Sequence, residues 1–181
     1  MKKKKLLVII ISVFISYSLF SQEGYGFADK TIPELSQFEY YRGKWTTQME
    51  MKQEDGTFKK LDFTSTITGK YLEDKKTFQI EFKGSNDFFS TDIRAYDMIA
   101  KEWRALFLNA KAQRWHNFTS KKIDGEMTSI IRGGYSGKEK FDVKIRDSVI
   151  SESKYLKRVY YSIDEMKTWQ LVYKIDVFKL E

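Results

Sequence analysis

Gly43-Lys44-Trp45-Thr46-Thr47-Gln48-Met49-Glu50-Met51-Lys52 is the stretch that decides the fold. Trp45, Thr47, Met49 and Met51 share one face of an extended chain, and Lys44, Gln48, Glu50 and Lys52 share the other. Side chains of a strand alternate with period two, so this segment reads as a half-buried strand. The pattern returns near the C-terminus, where Trp169, Leu171, Tyr173, Ile175 and Val177 alternate along a long last strand. Only short alternating segments and turn residues lie between the two. First and last strands that both present one apolar face point to a sheet that closes on itself.

Working outward, Leu61, Phe63, Ser65 and Ile67 alternate with Asp62, Thr64 and Thr66. Phe78, Ile80 and Phe82 alternate with Thr77, Gln79 and Glu81. Further strands are expected over 88–97, 102–109, 113–121, 126–133, 139–146, 149–162 and 168–179. Asp55-Gly56 and Asp124-Gly125 mark hairpins, because both residue types tolerate positive φ. Gly133-Gly134 and Gly137 bracket a flexible corner. Thr31-Ile32-Pro33-Glu34 fits a capping box with Thr31 as N-cap and Glu34 reaching back, which predicts a short helix to about Tyr41. Pro33 is the one proline, so no strand interior loses a donor. The pattern predicts an all-β closed antiparallel barrel of about 8–10 strands with one N-terminal helix. Closure removes the edges that an open sheet exposes to aggregation. A β-sandwich is the rival arrangement.

The first residues read as a targeting segment. Lys2 to Lys5 form a basic start, Leu6 to Phe20 an apolar run, and Ser21 a small residue at the cleavage point. The run is shorter than the roughly 20 apolar residues of a membrane span, and an uncleaved anchor is the alternative. The expected organisation is a signal peptide over 1–21, a loose arm over 22–30 and a barrel domain over 31–181. The expected location is periplasmic or extracellular, with no membrane span in the mature protein. No Cys follows the apolar run, which excludes lipoprotein attachment.

Loss of residues 1–21 changes the charge. The chain has 32 basic and 25 acidic residues, and four lysines but no acid lie in the leader, so the net charge falls from +7 to +3. Basic and acidic residues interleave, as in Lys138-Glu139-Lys140, instead of forming the basic aromatic face of a nucleic-acid binder. There is no cysteine, which excludes disulfides, thiolate catalysis and Cys-ligated metals. Stability then rests on the core, to which 14 Phe, 11 Tyr and 4 Trp contribute.

A helix followed by Gly43-x-Trp45 at the head of the first strand resembles the lipocalin-like (calycin) barrels. The resemblance implies that the helix closes one barrel end and that Trp45 packs against it. A basic residue of the last strand should sit beside the Trp, a role for Lys179 or Arg42. Arg94-Ala95-Tyr96-Asp97 with Trp103-Arg104, and Tyr161-Ser162-x-Asp164 with Thr168-Trp169, are similar to an uncharacterised family of exported bacterial lipocalin-like proteins. The Ser162–Trp169 stretch also resembles an Asp-box, with Met166 in place of the usual Gly. Its side-chain-to-backbone bonds imply a hairpin staple over a packed Trp; a glycosidase reading has little support.

Candidate chemistry is sparse. Arg94 and Tyr96 share one strand face, Arg104 belongs to the next strand and Arg114 to the one after. If they point inward, they suit an anionic head group on an apolar ligand; if outward, they are surface residues. His116, the one histidine, would be needed for haem ligation or a hydrolytic triad, and a single His fixes neither. Asp92 and Asp97 are five residues apart and fall on opposite faces. No catalytic or metal-ligating set is nominated and no cofactor is selected. Asn117-Phe118-Thr119 matches a glycosylation acceptor, relevant only in a eukaryotic secretory pathway. The expected function is noncatalytic binding of a small, largely apolar or amphipathic ligand. The alternatives are an enzyme acting in the same cavity and a ligand-free structural or interaction protein. A cavity of roughly 300 Å³ or more would separate the first two from the third.

Overall fold

In the computed structural model, residues 24–136 and 139–180 are described. The expected leader and Gly137 lie outside them. A 3-10 helix, Pro33–Tyr41, precedes β1 (Gly43–Lys52), β2 (Phe58–Lys60), β3 (Ser65–Tyr71), β4 (Phe78–Gly84), β5 (Phe89–Asp97), β6 (Glu102–Asn109), β7 (Arg114–Ile123), β8 (Glu126–Ser136), β9 (Glu139–Ser151), β10 (Lys154–Ser162) and β11 (Gln170–Lys179). From β3 onward each strand pairs antiparallel with the next. β1 pairs β3 through Gly43–Thr46 and β2 through Glu50–Lys52. Its other edge pairs β11, with Trp45 opposite Lys179 and Met51 opposite Tyr173. β1 and β3 to β11 thus close a ten-strand antiparallel barrel, and β2 is a short addition beside β3. The closure expected from the two Trp-bearing ends is present, and the sandwich alternative is excluded.

The helix closes one end. A 3-10 helix repeats every three residues, so Leu35, Phe38 and Tyr41 eclipse one another and all three are buried. Trp45 Nε1 donates to Tyr41 O at 3.0 Å, the Tyr71 hydroxyl donates to Leu35 O, and Trp103 Nε1 donates to Gln37 Oε1 at 3.2 Å. Phe38 meets Trp103 edge-on at 4.7 Å. Gly69 of β3 permits the close approach: a Cβ there would lie 2.3 Å from Tyr41 O. Lys179 Nζ lies 5.8 Å from the Trp45 ring centre and takes the expected basic position. Arg42 instead stacks on Phe27 at 4.5 Å and pairs with Glu39.

Four local expectations are corrected. Ile32, not Thr31, is the N-cap, and no side chain caps the helix. Thr31 is drawn backward, because its N–H and hydroxyl both donate to Asp29 Oδ1. The arm is tied down over its described part: Tyr71 N donates to Tyr25 O, Asp29 N to Lys75 O and Ala28 N to Glu39 Oε1. The expected 149–162 strand is two strands, broken at Glu152-Ser153. Leu61 and Phe63 lie between β2 and β3 instead of in a strand. Gly133 supports a register shift between Ile131 and Gly134 with φ of 72°.

The C-terminal hairpin forms as an Asp-box-like staple. Asp164 Oδ1 accepts from Ser162 Oγ and Thr168 N, Asp164 Oδ2 accepts from Thr168 Oγ1, and Ser162 Oγ accepts from Met166 N. Met166 adopts φ of 68° where the motif usually has Gly. The bonds from Thr168, then Ser162, hold the half-buried Asp164 carboxyl down to about 2.

Candidate functional site

The lumen has two unlike halves. Starting from the helix, the inward positions are Trp45, Ile67, Tyr71, Phe78, Ile80, Trp103, Tyr155 and Val177, all buried and packed together. Two charge pairs are set into this end. Asp92 and Arg94 are two apart on β5 and so share its inner face. Arg94 Nε and Nη2 donate to Asp92 Oδ1 and Oδ2 at 2.8 and 2.9 Å. The guanidinium is covered by Phe38 at 4.7 Å and Phe118 at 5.2 Å. The second pair spans strands: Asp147 of β9 is directly opposite Lys157 of β10. Lys157 Nζ donates to Asp147 Oδ1 at 2.7 Å, and the Tyr40 hydroxyl donates to Asp147 Oδ2 at 2.8 Å. Tyr41, from the helix, places its ring 5.1 Å from Lys157 Nζ and 5.9 Å from the Arg94 guanidinium. Among the described residues, the buried hydroxyls of Tyr41 and Tyr155 have no hydrogen-bond partner apart from each other.

Each buried cation is supported by its carboxylate. Burial opposes the Lys157 ammonium, but Asp147 and then Tyr41 together more than offset it and raise its pKa above the ordinary lysine value. Burial also pushes the phenols of Tyr41 and Tyr155 above the tyrosine value of 10.0. Tyr40 is raised well above that value, by burial and then by the Asp147 charge.

Beyond Lys157 the lumen opens into a cavity of about 680 Å³. Met49, Ile67, Phe82, Val159 and Ile175 form apolar walls, while Leu61, Phe63 and Phe88 line it from the loops beside β3 and β5. Thr47, Ser65 and Lys157 supply polar groups, and Tyr161 and Tyr173 stand further along β10 and β11 toward the mouth. The Thr47 and Ser65 hydroxyls are 2.7 Å apart. Burial pushes the Tyr161 phenol up to about 12.

The four residues singled out by sequence do not form one cluster. Arg94 is buried in the lumen, and Tyr96 shares its face at the helix-closed end, 5.7 Å from the Trp103 ring. Arg104 lies on the outer face, 58% exposed at its side chain, and pairs with Glu102 and Asp97. It is corrected to a surface residue, because β6 presents Trp103 and Ala105 inward instead. Arg114 has the inward parity but stands exposed at the open rim. Arg94 itself does not line the cavity, and its Nε and Nη2 are engaged by Asp92. His116 faces inward near the rim, half-buried, with its ring 6.3 Å from Phe107. Asn117 is exposed. Among the described residues, no group of three or more His, Asp or Glu is placed to hold a metal, and no helix is long and apolar enough to cross a membrane.

Sequence reasoning missed Lys157 and Asp147. Tyr155, Lys157, Val159 and Tyr161 alternate with Leu156, Arg158 and Tyr160, so both faces of β10 look equally apolar. A hairpin turn at Glu152-Ser153 alone would set Asp147 opposite Arg158; the register shift between Lys154 and Tyr155 sets it opposite Lys157, and no sequence signal marks that shift.

A closed antiparallel barrel with one short helix at its end fits the lipocalin-like, or calycin, class. An S-type phycobiliprotein lyase, CPES, from Guillardia theta aligns with TM-score 0.54 over 81% of this chain and 92% of its own, at 9% identity. A de novo designed fluorescence-activating β-barrel aligns over 78% of this chain and 94% of its own, at 12% identity and TM-score 0.33. At such identities the likeness is one of fold alone. No family model and no curated protein matches the chain.

Proposed function

We propose that the protein is an exported, noncatalytic binder of a small, largely apolar molecule held in the open half of the barrel. The observation that carries this reading is the cavity of about 680 Å³ with apolar walls and a few polar groups. Ligand sites have this size and composition, whereas a structural barrel fills its interior with side chains. The basic and apolar leader pattern supports export to the periplasm or beyond. The lyase neighbour supports the fold and adds no chemistry to this chain.

Native mass spectrometry of the purified protein tests the reading by looking for a co-purified small molecule. Titration with Nile red, an uncharged apolar dye, gives a second readout. A Val159→Trp variant places a large ring in the cavity, and Nile red affinity should fall at least about tenfold while the fold persists. Unchanged dye binding in Val159→Trp, with no co-purified ligand, would reject the lumen as the site.

A further inference from the structure

We infer that the polar end of the ligand is an uncharged oxygen acceptor, such as a hydroxyl or carbonyl, taken by Lys157 beside the Thr47–Ser65 pair, and that a carboxylate is disfavoured there. This rests on the proposed binding function and names the ligand class for the same cavity.

The argument is one of charge and hydrogen-bond capacity. Among the described residues, the buried charged ones are Asp92, Arg94, Asp147 and Lys157, two of each sign. Both acids already have their cation, at 2.7–2.9 Å. An incoming carboxylate would be a third anion against two cations. It would lose its hydration while facing a site with no net positive charge. Asp62 also lines the cavity and adds no attraction for an anion. The arginines do not line the cavity: Arg94 is enclosed by Phe38 and Phe118, Arg104 is outside, and Arg114 is exposed at the rim, where its charge acts on Tyr161 at the mouth.

Capacity for a neutral acceptor remains. An ammonium has three N–H donors. One of Lys157's goes to Asp147, and the Tyr41 ring covers another side at 5.1 Å. Lys157 also lines the cavity, so a ligand acceptor that reaches its ammonium finds N–H capacity beyond the bond to Asp147. Thr47 and Ser65 are buried on the same lining; Thr47 Oγ1 accepts from Ser65 N at 3.1 Å and lies 2.7 Å from Ser65 Oγ and 3.4 Å from Ser65 O, so with Thr47 donating to Ser65 Oγ the Ser65 hydroxyl proton is the one left to donate. The apolar walls then take the hydrocarbon remainder.

The test is displacement of Nile red at pH 8 by 1-dodecanol, methyl dodecanoate and dodecanoate. The alcohol and the ester should compete at least about tenfold better than the ionised acid, as expected for an uncompensated buried charge. Ser65→Ala and Thr47→Val leave the Lys157–Asp147 pair intact, and each should weaken the alcohol by about fivefold, the value of one hydrogen bond. A Lys157→Met/Asp147→Leu double variant, checked for folding by circular dichroism, should weaken the alcohol about tenfold. Dye binding with the acid as the best competitor would overturn this inference and leave the binding function standing. An alcohol affinity untouched by all three variants would also overturn it. Failure of the wild-type protein to bind the dye or any competitor would overturn the binding function and this inference together.

Discussion

The helix-closed and open halves of the lumen are built by the same strands and differ in what fills them. Near the helix, most strands contribute a large ring or a paired charge, β8 and β11 contribute Met127 and Val177, and the helix adds Leu35, Phe38 and Tyr41. Two to four residues further along five of the same strands, inward positions carry Met49, Ser65, Phe82, Val159 and Ile175, and no helix covers them. The difference teaches that a barrel of this size is filled from one end by its plug. Stability resides mostly in the closed half, and the open half is free to vary in chemistry.

The largest expected effect breaks the closed half. Trp45→Ala removes a side chain 2% exposed together with its bond to Tyr41 O, and should cost about 3–5 kcal/mol. Chemical denaturation measures it, and an unchanged midpoint would contradict the role given to the plug. At the boundary between the halves, Lys157→Met leaves Asp147 buried without its cation and should cost about 3–5 kcal/mol. The Lys157→Met/Asp147→Leu double variant should recover most of that loss; no recovery would mean that packing, not charge, governs the position.

Alkali sharpens the same comparison. The folded state holds protons on Tyr40, Tyr41 and Tyr155 that the unfolded chain releases above pH 10.0. Their folded pKa values are raised, so the associated stability is complete below pH 10 and is lost as pH rises. Each buried tyrosine should cost about 1.4 kcal/mol per pH unit above that point. Tyrosinate absorbance and far-ultraviolet circular dichroism should therefore change together. Ionisation of all tyrosines with the sheet intact would show the closed half to be open to solvent.

The smallest effect is in the C-terminal hairpin. Its Asp164 carboxyl is held down to about 2, so its contribution is complete above the ordinary value of 3.8 and lost as pH falls through about 2. Asp164→Asn should lower the melting temperature less than either variant above, and should speed amide exchange at Thr168. Exchange at Thr168 unchanged by the substitution would show that the turn does not depend on the carboxylate.

Much of the architecture was legible in the chain. Period-two alternation in β1, β4 and β11 placed Trp45, Ile80 and Val177 on the inner face, and Asp-Gly pairs located two of the hairpins. Such features are local: neighbouring residues fix the pleat and the turn, so the sequence displays them directly. Asp29 defeated the capping signal at Thr31 by capturing its hydroxyl, a contact just outside the motif. The partnership of Lys157 with Asp147 depended on a register shift between Lys154 and Tyr155, just past the turn, since a one-residue slip changes which side chains of two strands face each other.

By itself the sequence determined a run of antiparallel strands with Trp45 on an inner face, because alternation and turn chemistry act over a few residues; Trp45 against a helix at a closed end was what the lipocalin-like resemblance implied. Which arginines face the lumen, which cation meets which carboxylate, and where the cavity lies were decided only by tertiary structure. Those properties depend on register around a closed ring of ten strands, where residues far apart in the chain become neighbours, and no local pattern records that pairing.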